Sequence, residues 1–177
     1  MRLFIAIELP RSFKAELARM QRELKALSSG GKFVPKENFH LTLHFIGESA
    51  DLLAATKAMH EAVRGIRPFV LRLGGCGSFE RKEGRTAYIE VLGDMGELKV
   101  LYDSLEGALY DQGFSRERKR FTPHVTMARS VALDELAQAE LSAFTPNAEV
   151  TVNSITLFES RREEGRMVYL PLHREKF

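Results

Sequence analysis

The sequence has little of several features that would place a protein in a broad class. It contains one cysteine, Cys76, so no disulfide can form within the chain and a cysteine-rich zinc site is excluded. Basic residues exceed acidic residues by only 26 − 24 = 2, so the net charge produces no strong overall electric field. No apolar run approaches the length that a membrane-spanning helix needs.

The chain does have enough apolar residues to bury a proper core. Its 177 residues, 44% of them hydrophobic, predict a single domain over 1–177 that is built of two lobes. The opening MRLFIAIELP has an apolar run that Glu8 and Pro10 interrupt, which is too short for a signal peptide. We therefore expect a cytoplasmic protein that does not bind membranes.

Residues 40–45 read HLTLHF, in which polar and apolar side chains alternate. This alternation predicts a half-buried β-strand whose apolar residues face the core. His40, Thr42 and His44 are then expected to share the opposite face. Taken alone, this pattern is more typical of a solvated strand than of a functional site.

The same pair occurs again at 123–129, which read PHVTMAR, with His124 and Thr126 two residues apart. Random placement of the five histidines and eight threonines would give only about 0.2 His-x-Thr triplets. On a strand, residues two apart point the same way at a distance of about 6.6 Å. Each motif therefore presents one imidazole and one hydroxyl on a single face.

Two such strands facing each other across a groove would suit chemistry at phosphorus. Because an imidazole has an ordinary pKa near 6.5, one ring can accept a proton at neutral pH while the other donates one. Threonine hydroxyls can donate hydrogen bonds to anionic oxygens. Protonated imidazole and hydroxyls can stabilise the developing charge, so this chemistry requires no metal.

The predicted elements favour an α+β fold with antiparallel sheets, because helices alternate both with single strands and with strand pairs. Each motif strand follows a long helix and precedes another helix and a strand pair, which indicates a duplicated unit. The pattern predicts strands at 2–9, 39–46, 68–79, 85–92, 123–129, 148–158 and 166–172, and helices at 10–27, 51–64, 94–113 and 133–141.

The two motifs, the opening MRLFIAIELP and the stretches PKENFHLTLHFIGE and FTPHVTMAR resemble the two-histidine (2H) phosphoesterases. Within that superfamily they resemble the RNA 2′,3′-cyclic phosphodiesterases, formerly called 2′-5′ RNA ligases. The resemblance implies a bilobal fold with helices outside two sheets, a pseudo-twofold axis and a central groove. It also implies hydrolysis of an RNA 2′,3′-cyclic phosphate end, or of a small cyclic nucleotide, to a 2′-phosphate, and in some members a weak ATP-independent ligase activity.

The resemblance also implies a role for each motif residue. His40 would protonate the departing 3′-oxygen and His124 would activate water, although the symmetry of the sequence leaves these two roles interchangeable. Thr42 and Thr126 would hold the phosphate with Arg129. Under strict alternation Arg129 points away from the Thr126 face, so the strand has to bend to bring it round.

Further RNA contacts are expected from residues near the motifs. His44 stands where the family often has lysine, on the predicted face of His40. Arg116 and Arg118 belong to the basic run RERKR, which could bind RNA phosphates. Phe121 could stack on a base, and the charged loop at 81–85 is a weaker candidate.

Three alternatives remain at this stage. His40, His44 and His124 could bind zinc, but this hypothesis leaves the repeated threonines unexplained. The scaffold could bind RNA ends or cyclic nucleotides without catalysis. The substrate could also be another cyclic phosphate, such as ADP-ribose 1″,2″-cyclic phosphate. We expect no metal, no cofactor and a monomer.

Overall fold

The computed structural model describes all residues from 1 to 177 and contains nine strands, four helices and one 3-10 turn. The strands are β1 (Arg2–Glu8), β2 (Ser29–Phe33), β3 (His40–Glu48), β4 (Phe69–Arg81), β5 (Gly84–Gly93), β6 (His124–Ala132), β7 (Glu149–Val152), β8 (Ser154–Glu163) and β9 (Arg166–Lys176). The helices are α1 (Arg11–Leu27), α2 (Leu52–Ala62), α3 (Met95–Asp111) and α4 (Glu135–Ser142), and the turn spans Lys36–Asn38.

The strands form two antiparallel sheets, which confirms the predicted α+β class. The first sheet has the order β3-β1-β8-β9 and the second the order β2-β6-β5-β4-β7. Each motif strand, β3 or β6, is followed in its sheet by three further strands with the same antiparallel pairing. The two sheets therefore repeat one arrangement, and β2 is an addition to the second.

One hydrophobic cluster of 34 buried residues joins the two sheets and the helices. β1 is buried along almost its whole length, as its continuous apolar run predicts, and α1 covers the core with Phe13, Leu17, Met20 and Leu24 at helical spacing. Each large side chain buried in this way contributes about 1.5–3 kcal/mol. None of the four α-helices combines the length and the hydrophobicity that a membrane span requires.

Two sequence predictions about strands were wrong. No strand was predicted between the first helix and residue 39, but Ser29–Phe33 pairs with β6 as an edge strand. Residues 148–158 were expected to form one strand, but β7 pairs with β4 in one sheet and β8 pairs with β1 in the other. In both cases the partner strand is distant in sequence, and local periodicity carries no information about it.

Candidate active site

The motif strands β3 and β6 approach each other and enclose one side of a groove with a cavity of about 420 Å³. Five residues that the sequence predicted for the site line this cavity together: His40, Thr42, His124, Thr126 and Arg129. Strand β1 and the β8–β9 hairpin complete one wall, and the β4–β5 hairpin contributes to the other. The cavity is also lined by Arg2, Leu3, Phe4, Val34, Asn38, Phe45, Phe79, Arg81, Thr86, Ser160, Met167 and Tyr169.

His40 is held in a fixed orientation by the backbone before it. Its Nδ1 lies 2.7 Å from the carbonyl oxygen of Asn38. Because a carbonyl only accepts, Nδ1 carries the proton, and in the neutral ring Nε2 is the acceptor. Nε2 lies 2.8 Å from Oγ1 of Thr42, whose hydroxyl can donate to it. The reactive nitrogen and the hydroxyl of the first motif therefore lie together at the cavity.

The site of His40 is completed by residues that are distant in sequence. The Asn38 side chain donates to the backbone oxygen of Met167 at 2.8 Å, which fixes the turn before β3 against β9. The rings of Phe4 and Tyr169 lie 4.9 Å and 5.1 Å from the imidazole. This packing leaves His40 half-buried and restricts its rotation.

His124 repeats this arrangement on the second motif strand. Its Nδ1 lies 2.6 Å from the carbonyl oxygen of Thr122, again two residues earlier, so Nε2 is again the free ring nitrogen. Phe79 and Tyr88 pack edge-on against the ring at 5.2 Å and 5.4 Å. Each motif thus fixes its histidine by the same backbone contact and by a pair of aromatic rings.

Alternation breaks in both motif strands at the residue after the threonine. The pairing of β3 with β1 skips Leu43, and the pairing of β6 with β5 skips Met127. Each β-bulge adds one residue to its strand. Because successive side chains on a strand point to opposite faces, the residues after the bulge point to the face opposite to the one that strict alternation predicts. Arg129 therefore lines the cavity together with Thr126. The bulge at Met127 is the bend in the strand that this placement of Arg129 requires.

The bulge in β3 overturns the predicted placement of His44. The side chain was expected on the face of His40, available to RNA, but only 2% of it is exposed. It lies on the core side of β3, where Nδ1 donates to a carboxylate oxygen of Glu106 on α3. Because a buried ring cannot contact RNA in the groove, His44 is removed from the expected contacts.

The other expected RNA contacts lie outside the cavity. Arg116 and Arg118 are exposed, and the Arg116 guanidinium lies over the ring of Tyr110 at 4.6 Å. Phe121 is half-buried and stacks on Tyr102 with the ring centroids 4.0 Å apart. This stacking occupies one face of Phe121, and contact of its ring with an RNA base stays a prediction.

The structure does not bring together the three histidines that the zinc hypothesis requires. His44 faces the core while His40 and His124 face the groove, so the three rings do not converge on one point. No group of three or more His, Cys, Asp or Glu side chains is arranged to hold a metal ion. The two groove histidines instead converge with hydroxyls and a guanidinium.

The groove is rich in positive charge. No aspartate or glutamate lines the cavity, whereas Arg2, Arg81 and Arg129 do, and none of the three has a carboxylate within ion-pair distance. A concave site with unpaired charges of one sign concentrates ligands of the opposite sign. The groove is therefore suited to an anion even though the net charge of the chain is small.

Burial lowers the pKa of His40 from its ordinary value to about 4, against the opposing effect of its bond to the Asn38 carbonyl. The positive charges of Lys14, Arg129 and His124 lower the pKa further. His40 is therefore neutral at pH 7 and suited to accept a proton. Burial also raises the pKa of Tyr169, so its phenol stays protonated at neutral pH and can donate a hydrogen bond.

Several groove residues were missed by the sequence interpretation. Asn38, Phe79 and Tyr169 adjoin the motif histidines in space, but only Asn38 is close to one in sequence. The contact of each histidine with the carbonyl two residues earlier recurs in both motifs, but it involves backbone and so leaves no mark in the sequence. Arg2 and Tyr169 depend on sheet pairing, for which the sequence has no local signature.

Comparisons with known proteins agree with this geometry. The family model of the 2'-5' RNA ligase superfamily matches residues 9–164. The chain is 34% identical over 165 residues to the RNA 2',3'-cyclic phosphodiesterase of Aeropyrum pernix, covering 90% of this chain and 94% of that protein.

Solved structures resemble the whole fold. TT0787 of Thermus thermophilus matches with a TM-score of 0.79 at 26% identity, covering 99% of this chain and 97% of that one. Escherichia coli LigT complexed with 3'-AMP matches with a TM-score of 0.75 at 25% identity, covering 99% of this chain and 96% of that one.

Proposed function

The chain belongs to the 2'-5' RNA ligase superfamily of 2H phosphoesterases, and on this basis we propose that it hydrolyses the 2′,3′-cyclic phosphate at an RNA end to a 2′-phosphate. The observation that carries the proposal is the pair of backbone-anchored imidazoles, each beside a threonine, in one cavity without carboxylates. The Aeropyrum pernix relative is an RNA 2',3'-cyclic phosphodiesterase and Escherichia coli LigT binds 3'-AMP, and both support the same class of ligand.

The proposed reaction is an in-line displacement at phosphorus. One neutral imidazole accepts a proton from water as the water oxygen forms a bond to phosphorus. The bond from phosphorus to the 3′-oxygen breaks, and the second imidazole, protonated, donates its proton to that oxygen. The products are a 2′-phosphate and a free 3′-hydroxyl. Each proton transfer of this kind is typically worth about 10²–10⁴ in rate.

The remaining groove residues would stabilise the phosphate. When the phosphate binds, the Thr42 hydroxyl can turn from Nε2 of His40 and donate to a phosphate oxygen, as the Thr126 hydroxyl can, and the guanidinium of Arg129 can form charge-assisted hydrogen bonds with the phosphate. Donors fixed by two sheets before the substrate arrives need little reorganisation, which favours the transition state. The two strands carrying these donors share one core, which supports a single domain over 1–177.

The electrostatics bear on the protonation state of His40 before substrate binds. The resemblance implies that His40 is the acid, but burial lowers its pKa to about 4, so in the free enzyme at pH 7 its ring carries no extra proton to donate. A bound phosphate anion would raise the pKa of His40, since an opposite charge nearby favours the protonated ring. We therefore propose that His40 is neutral before substrate binds, and that the acid and base roles are established only in the complex.

Product analysis on a panel of cyclic phosphates tests the proposal. The panel contains an RNA oligonucleotide ending in a 2′,3′-cyclic phosphate, a 2′,3′-cyclic mononucleotide, a 3′,5′-cyclic mononucleotide and ADP-ribose 1″,2″-cyclic phosphate. We expect the oligonucleotide to give a 2′-phosphate. Exclusive turnover of the ADP-ribose compound would change the substrate, and binding without any turnover would favour the non-catalytic alternative.

A chelator experiment tests the expected independence from metal. Enzyme treated with a chelator and analysed for metal content should retain full activity on the oligonucleotide. The reason is that imidazoles, hydroxyls and Arg129 provide both the proton transfers and the charge stabilisation. Activity that disappears with the chelator and returns with added zinc would contradict this expectation.

A further inference from the structure

Helix α3 carries three side chains that hold the segment leading into the second motif strand. Tyr102, Glu106 and Tyr110 are spaced four residues apart and so lie along one face of the helix. We call these three residues the α3 stripe and residues 114–123 the basic segment. Each member of the stripe contacts the basic segment, so the contact extends over two helical turns.

The contacts follow the helix in order. The Arg116 guanidinium lies 4.6 Å from the ring centroid of Tyr110. The backbone N–H of Glu117 donates to Oε2 of Glu106 at 3.0 Å. Phe121 stacks on Tyr102 with the ring planes only 2° from parallel. The basic segment therefore runs along α3 from its C-terminal end towards its N-terminal end.

Glu106 also connects this segment to the first motif strand. Its second carboxylate oxygen, Oε1, accepts from Nδ1 of His44 on the core side of β3. Glu106 and His44 are both buried, so the carboxylate needs both donors to replace the water that it has lost. One buried carboxylate thus joins the strand of His40 to the segment before His124.

The basic segment ends at the residue that orients His124. Thr122, whose carbonyl accepts from the His124 ring, directly follows Phe121 on the stripe. A displacement of the segment would therefore move the acceptor that fixes the imidazole. Effective proton transfer depends on this orientation, because a misplacement of about 1 Å can cost on the order of 100-fold in rate.

We propose that His44 and Glu106 are positioning residues for His124: the buried pair fixes the basic segment on α3 and thereby sets the orientation of the imidazole on the second motif strand. This inference rests on the proposed function, since it assigns a role in the same reaction. His44 acts on the histidine of the opposite lobe, although its own strand carries His40.

Two variants break the connection in different ways. His44→Leu removes the donor, and Glu106→Gln leaves one acceptor oxygen where the carboxylate has two, so glutamine cannot hold both N–H groups. His44→Asn places an amide Nδ2 close to the position of the ring Nδ1 and should restore the bond. His60→Gln is the matched control, because it breaks a histidine–carboxylate pair with Glu175 on the exposed surface of α2.

The first measurement does not depend on turnover. Trypsin cleaves after lysine and arginine, and the residues of the run RERKR are exposed. We expect native-state cleavage within 116–120 to be several times faster in His44→Leu and Glu106→Gln than in the wild type, because the segment is released from α3. His44→Asn and His60→Gln should be cleaved at the wild-type rate. Equal rates in all five proteins would overturn the inference.

The second measurement is steady-state kinetics on a 2′,3′-cyclic mononucleotide. We expect kcat to fall by about tenfold or more in His44→Leu and Glu106→Gln, with KM changed by less than about twofold, and to recover in His44→Asn. A merely structural role would lower the melting temperature without this division between kcat and KM. If His44→Leu does not fold, the nearly isosteric Glu106→Gln decides the matter. A folded Glu106→Gln with wild-type kcat would overturn this inference and leave the proposed function standing. An inactive wild type would contradict the proposed function itself.

Discussion

Leu43 and Met127 are equivalent residues: the pairing with the neighbouring strand, β1 or β5, skips each of them at a β-bulge three positions after a motif histidine. Both side chains remain buried, and the residue that follows each of them is buried too. The next positions, Phe45 and Arg129, consequently face the groove. The two copies of the duplicated unit thus share the β-bulge as well as the His-x-Thr motif. The position that the bulge directs into the groove carries a cation only in the second copy, where it is Arg129.

Arg129 should contribute mainly to binding of the anionic substrate. Its guanidinium has no carboxylate partner in the groove and can bind phosphate in two places at once. We expect Arg129→Ala to raise KM for a 2′,3′-cyclic mononucleotide by about tenfold or more, and Arg129→Lys to recover part of that loss. Arg64→Ala, in the turn that follows α2, is the matched control. A KM equal to that of the control would remove Arg129 from the phosphate site.

Replacement of either groove histidine should abolish most of the turnover. We expect His40→Ala and His124→Ala each to reduce kcat by at least about 100-fold, while the affinity for the RNA product changes little. The reason is that each ring transfers a proton, whereas the binding contacts come from other groups. For each variant, single-turnover kinetics should measure the rate of the chemical step, and titration should measure the affinity for the RNA product. Retained turnover in both variants would disprove acid–base catalysis.

The lowered pKa of His40 should make the fold less stable in acid. The ring titrates near its ordinary value of 6.5 in the unfolded chain but at about 4 in the folded one. As pH falls through this range the unfolded state binds the proton first, so stability that is complete above pH 6.5 is lost progressively towards pH 4. The loss amounts to at most about 3 kcal/mol.

Urea unfolding at pH 7.5 and pH 4.5 measures this effect. The free energy of unfolding should decrease more in the wild type than in His40→Asn, which keeps a donor for the Asn38 carbonyl but does not titrate. Acidic residues contribute equally to both proteins, so their effect cancels in the comparison. The same decrease in both proteins would show that burial does not shift the pKa of His40.

Gly77, which pairs with Tyr88 across the β4–β5 hairpin, should not tolerate a methyl group. A Cβ on Gly77 would lie 2.6 Å from the ring of its cross-strand partner Tyr88, which packs against His124. We expect Gly77→Ala to displace this ring, lowering the unfolding free energy by about 1–3 kcal/mol and lowering kcat as well. Gly75→Ala is the control, because nothing lies within 4 Å of its Cβ. Equal stability and activity in the two variants would contradict the expected clash.

Sequence periodicity predicted the motif strands but not their irregularities. His40, Thr42, His124 and Thr126 share the groove because alternation holds from each histidine to its threonine. A bulge arises from pairing with a neighbouring strand, here β1 or β5, and these partners are non-local. For this reason the sequence predicted the wrong face for His44.

The surroundings of the motifs were less predictable for a similar reason. Tyr169 reaches His40 from the last hairpin of the chain, and Glu106 reaches His44 from a helix that the sequence only showed to be amphipathic. The break at Asn153 sends β7 and β8 to different sheets, although the residues on either side have equal strand character. Such features depend on three-dimensional packing and leave no local pattern.

The core common to both sheets limits how the two halves of the molecule can move. A hinge would require an interface that separates cleanly, but here the same apolar side chains are shared by both halves. We therefore expect the opening of the groove to keep a constant width, and the protein to unfold in a single cooperative thermal transition. The ligand then diffuses into a rigid groove, and binding depends on how well the ligand matches the preformed groove and not on closure of the two lobes around it.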